Sequence, residues 1–92
     1  MPALVHADEQ HRGSEQLGTA PADVVALAGR EVACKHWLSV EITDQESDSR
    51  VEHALSHLRC DALAADAAAL RTKYGQSDST LKALDAARAL GP

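Results

Sequence analysis

Residues 51–74, "VEHALSHLRCDALAADAAALRTKY", decide how this chain is read. The stretch is rich in strong helix formers, contains neither Gly nor Pro, and stops at Gly75. Just upstream, Thr43 to Glu46 and Ser49 to Glu52 both fit the S/T-x-x-E capping box, while Asp44, Glu46 and Asp48 put negative charge where a helix N-terminus favours it. Arg71 and Lys73 bring cations to the opposite end, where the dipole suits them. The pattern predicts one continuous helix over about 45–74, some 40 Å long at 1.5 Å per residue.

Working outward, "GQSDST" (75–80) is turn chemistry with Ser77, Asp78 or Ser79 available as an N-cap. "LKALDAARAL" (81–90) then sets Leu81, Leu84 and Ala87 on one side before Gly91 and Pro92, which predicts a helix over about 78–90 folded back on the long one. On the other flank, Pro21 and Asp23 suit a first helical turn, so another helix is expected from residue 21. Its far end has two readings. Either the helix runs to 42, or "LSVEIT" (38–43), which alternates apolar and polar residues, is a short strand that must pair, most simply with its copy in a dimer. The helical reading is preferred. Residues 1–20 lack periodicity and read as a flexible tail. The expected fold is therefore all-α, a three-helix unit (about 21–42, 45–74 and 78–90) in a single domain spanning 21–92.

Composition bounds what such a unit can be. The chain has 92 residues with no Phe, one Trp and one Tyr, so its apolar content is mostly Ala, Leu and Val and its core is thin. Small chains with this problem commonly gain stability from a partner or a second subunit. The net charge of −5, with no basic stripe, argues against nucleic-acid binding and suits contact with a basic protein surface. The opening "MPALVHADEQ" has neither a basic n-region nor an apolar h-region, and no apolar run reaches the roughly 18 residues of a membrane span. A cytoplasmic protein with Cys34 and Cys60 as free thiols is the resulting expectation.

On a continuous helix, Leu55, Leu58, Ala62, Ala65 and Ala69 fall within about 40° of Val51 and would form one core stripe. His53, His57, Cys60, Ala64, Ala67 and Ala68 would share the opposite side, with Leu63, Leu70 and Tyr74 on the flank. The i, i+4, i+7 spacing of His53, His57 and Cys60 is compatible with a Zn or Cu(I) site that Cys34 and His36 could complete. Partly exposed histidines beside a small buried cysteine explain the same residues more simply, and no cofactor is expected. A Cys34–Cys60 redox pair is a further option, but neither residue has a C-x-x-C context, and two structural cysteines are preferred. The serines sit at caps and turns, and neither a phosphate loop nor a nucleophile elbow is present, so no enzyme is expected.

The reading that follows is a non-catalytic helical protein–protein interaction or assembly module. It self-associates, with a dimer favoured, or docks on a larger protein through the Ala-rich helix, with Trp37, Leu63, Ala64, Ala67, Leu70 and Tyr74 as contact residues. The alternatives are a small acidic regulator of the inhibitor or antitoxin type, and a metal-binding helical protein.

Overall fold

A computed structural model describes residues 18–92, and among them every regular element is helical. Helix α1 spans Ala22–Leu38, α2 Gln45–Leu58, α3 Leu63–Lys73 and α4 Asp78–Ala89, with a 3₁₀ turn at Cys60–Ala62 between α2 and α3. The all-α class expected from the sequence is correct. The tail assigned to 1–20 lies, up to residue 17, outside the described residues.

The long helix expected over 45–74 is two helices. The chain breaks at Arg59, whose φ of 55° and ψ of 51° lie in the left-handed region, the only positive φ among the described residues. Neither Gly nor Pro stands nearby to mark the break. The break is made by contacts from α1. Arg30 donates from Nε to the Leu58 carbonyl and from Nη2 to the Arg59 carbonyl, both at 2.9 Å, and its Nη1 pairs with Asp66 of α3 at 2.8 Å. One guanidinium thus satisfies carbonyls that a continuous helix would have bonded internally.

The break also shifts the buried stripe. It runs Val51, Leu55, Leu58 in α2 and resumes at Leu63, Ala67 and Leu70 in α3 and Tyr74 just after it, a step of five residues where a straight helix would take four at Ala62. Ala65 and Ala69, predicted on the core stripe, are consequently exposed, and so are Ala64 and Ala68 on the predicted second face.

Residues 39–43 neither extend the first helix to 42 nor form a strand. Helix α1 stops at Leu38, and the Ser39 amide closes on the Lys35 and His36 carbonyls. The amides of Thr43 and Asp44 both donate to Ser47 Oγ at 3.1 Å, so they are engaged locally rather than with a second strand. Asp44, in extended conformation, caps α2 by accepting from the Ser47 amide at 2.7 Å. The capping box is therefore Asp44 with Ser47 and not either of the Thr43 or Ser49 boxes. Ser77 caps α4 through the Thr80 amide, as one of the predicted options.

Helix α1, not the Ala-rich stretch, is the centre of the fold. It packs against α2, the 3₁₀ turn, α3 and α4, while the backbone of α2 approaches only α1 and the turn. The core joins Val24, Leu27 and Cys34 of α1 to Leu63 and Ala67 of α3 and to Ala83 and Leu84 of α4. Leu27 and Leu84 are its largest fully buried apolar side chains, each stabilising the fold by about 1.5 to 3 kcal/mol. At the lower end of this core, Tyr74 Oη donates to Asp23 at 2.9 Å and Lys73 pairs with the same carboxylate at 2.8 Å, tying the end of α3 to the first turn of α1.

Cys34 and Cys60 are joined in a disulfide with a Cα separation of 5.7 Å. This corrects the expectation of free thiols. That expectation rested on motif context and compartment, whereas pairing depends on α1 and the 3₁₀ turn being held side by side, which no local pattern reveals.

Candidate functional site

The residues singled out in the sequence do not converge. His53 and His57 are exposed on α2 with their rings stacked, centroids 6.3 Å apart. Cys60 cannot join them as a thiolate ligand while bonded to Cys34, and the same holds for Cys34. His36 lies edge-on to Trp37 with ring centroids 5.4 Å apart. Among the described residues no group of three or more His, Cys, Asp or Glu side chains is placed to hold a metal ion. The His/Cys spacing has meaning only on a straight helix, and the break at Arg59 removes that condition.

The predicted contact residues divide as well. Leu63 and Ala67 are buried in the chain's own core, Leu70 and Tyr74 pack partly against it, and Ala64 is exposed. Trp37 is half-buried and lines a cavity of about 120 Å³ with Val40, Ser47, Arg50 and Val51, so it bridges the end of α1 to α2.

What the fold assembles instead is an open groove of about 660 Å³ between the end of α1 and the junction of α2 with the 3₁₀ turn. It is lined by Leu38, Leu55, Ser56, Arg59, Cys60 and Asp61. The α1–α2 corner, residues 39–44, which follows Leu38, is held at both ends by local chemistry. The Ser39 hydroxyl donates to the His36 carbonyl at 2.7 Å, and the Asp44–Ser47 box fixes the start of α2. Leu38 and Ile42 are 54% and 53% exposed. Charge in the segment 41–52 is mostly negative: Glu41, Asp44, Glu46, Asp48 and Glu52 are opposed there by Arg50 alone. Asp44 is held below its ordinary pKa of 3.8, first by the Ser47 amide and then by the Ser47 hydroxyl, so this carboxylate stays charged well into the acid range.

Two further features escaped sequence reasoning. Glu31, in the middle of α1, is fully buried and meets Arg88 of α4. Arg30 reaches the α2–α3 break, and the same α1–α3 side carries a second cavity of about 300 Å³ lined by Asp23, Ala26, Leu27, Arg30, Asp66, Ala69 and Leu70. One signal for the break was available. The stripe Leu63, Ala67, Leu70, Tyr74 is more apolar than Ala62, Ala65, Ala69 and is out of phase with Val51, Leu55, Leu58 by one residue.

No family model, curated protein or solved structure matches this chain. No helix among the described residues is long and apolar enough to cross a membrane.

Proposed function

We propose that the chain is a non-catalytic helical interaction module that docks a basic, partly apolar protein segment at the α1–α2 corner. The observation that carries this is Leu38, more than half exposed and lining an open groove walled by Leu55 and Cys60, with Ile42, equally exposed, four residues further along the chain. The acidic residues of 41–52 support a basic partner, since like charge would oppose a second acidic copy at the same place. The groove's polar lining is Ser56, Arg59 and Asp61.

A second reading, self-association, is favoured by Val25 and Val32, 44% and 50% exposed on the outer face of α1 with the open Gly29 between them. Light scattering across a concentration series separates the two.

The docking reading is tested with a synthetic amphipathic helix of Leu and Lys as probe. Amide shifts in an NMR titration should concentrate at 38–42 and 55–61, binding should weaken as salt is raised, and Leu38→Asp with Ile42→Asp should abolish it. Shifts spread evenly over the acidic surface, or binding unchanged in the double variant, would overturn it.

A further inference from the structure

We infer that the Cys34–Cys60 disulfide is a redox latch that keeps α2 docked on α1, and that its reduction releases α2 while α1, α3 and α4 remain packed. This goes beyond the docking reading and stands without it.

Four observations converge on α2 as the releasable element. Its backbone approaches only α1 and the 3₁₀ turn and not α3 or α4. Its only buried residue is Val51, with Leu55 and Leu58 partly covered. The buried cluster that joins α1, α3 and α4 through Val24, Leu27, Cys34, Leu63, Ala67, Ala83 and Leu84 has no member from α2, whose Leu58 alone packs against its edge. Its carboxyl end is held by two devices, the disulfide and the Arg30 bonds to the Leu58 and Arg59 carbonyls, and both act across a residue with φ of 55°. A non-glycine residue in that region is strained, so the bend needs the contacts that impose it. Residues 45–73 contain no Gly or Pro, so a released α2 retains its own helical preference.

The two sulfurs differ in access. Cys34 is fully buried, whereas Cys60 is half-buried and lines the open groove. The reaction partner is a dithiol reductant. Its thiolate attacks Cys60 Sγ, the Cys34–Cys60 bond breaks, and its electron pair leaves on Cys34 Sγ, which takes up a proton. The reductant's second thiolate then attacks the reductant sulfur of the mixed disulfide, and the Cys60 thiolate departs and is protonated. Two electrons and two protons have moved to the protein and the dithiol has become a disulfide.

Trp37, the sole tryptophan, reports the release because it shares its cavity with Val51 and Arg50 of α2. The full chain is treated with dithiothreitol until two thiols per chain titrate. Acrylamide quenching of Trp37 should rise severalfold and its emission move to longer wavelength, while amide exchange at Ala83 and Leu84 stays slow and far-UV helicity is kept. Reoxidation should reverse all of it, and Cys34→Ala with Cys60→Ala should give the released signal with no response to reductant. Unchanged quenching at full reduction would show that packing and Arg30 alone hold α2. Fast exchange at Ala83 and Leu84 together with lost helicity would show the disulfide to be a staple of the whole fold. Either result overturns the latch.

Discussion

A single nitrogen of Arg88, Nη1, lies 3.1 Å from both carboxylate oxygens of Glu31, joining residues 57 apart in the chain. The Glu31 side chain is 1% exposed and that of Arg88 38%, so the carboxylate depends on this one partner far more than the guanidinium does. Gly91 closes the site from the other side, since a Cβ there would stand 2.7 Å from Glu31 Oε1.

Arg88→Met should therefore destabilise the protein by about 2 to 3 kcal/mol, because a buried carboxylate is left without its partner. Adding Glu31→Met should recover most of that loss. Gly91→Ala should cost less, about 1 kcal/mol, as the chain end shifts to relieve the contact. Urea unfolding of the three variants checks the order; equal loss in the single and double methionine variants would contradict it.

Gly29 stands in the middle of α1, and a Cβ there meets nothing within 4 Å. Gly29→Ala should stabilise the chain by about 1 kcal/mol through helix propensity, raising the melting temperature by roughly 4 to 8 °C for a domain of this size. A lowered melting temperature that depends on protein concentration would instead point to helix–helix contact at this face.

Arg59 contributes its backbone carbonyl to the α2–α3 break and adopts a conformation that glycine tolerates better. Arg59→Gly should leave stability unchanged or raise it by up to about 1 kcal/mol. Arg30→Ala should lower it by about 2 kcal/mol, since two carbonyls and Asp66 lose a charged donor. Calorimetry that ranks these two in the opposite order would refute the assignment of Arg30 as the group that holds the break.

The hydrogen bond from Lys73, with that from Tyr74, keeps Asp23 below the ordinary value of 3.8, and the Ser47 bonds do the same for Asp44. A lowered folded pKa means that the unfolded chain binds protons first. The stability from both groups is present above that ordinary value and is lost as pH falls through the lower, folded ones. Lys73 carries the opposite sign, its pKa raised chiefly by the Asp23 bond. Its contribution is present below 10.5 and is lost as pH rises beyond the raised value. Asp23→Asn should flatten both the acid and the alkaline limbs of the stability profile, whereas Asp44→Asn should flatten only the acid one. Circular dichroism melts across pH provide the check.

Helix existence was legible because each signal for it lies within a few residues. Examples are Asp23 after Pro21, the acidic turn at Asp44 to Asp48, the Ser77 cap, and the stop at Gly75. Where two local signals competed, the wrong one was easily chosen. Thr43 and Ser49 both fit the capping pattern, but Asp44 took the position because its short carboxylate reaches the Ser47 amide while the Ser47 hydroxyl reaches back. The candidate site was far less legible. The His53, His57, Cys60 set is a periodicity argument, and periodicity fails once one residue leaves the helical register.

By itself the sequence determined the helical class, most of the helix boundaries and the acidic character of the α1–α2 corner, since these follow from backbone propensity, capping and charge acting over a turn or two. Only the tertiary structure decided that α1 is the hub, that the long apolar stretch breaks at Arg59, and that Cys34 meets Cys60. The same holds for the burial of Glu31 against Arg88. Each of these joins residues 26 to 57 positions apart. Such contacts exist only when packed helices bring the groups into reach, so the free energy that fixes them lies in the packing and not in any local segment of the chain.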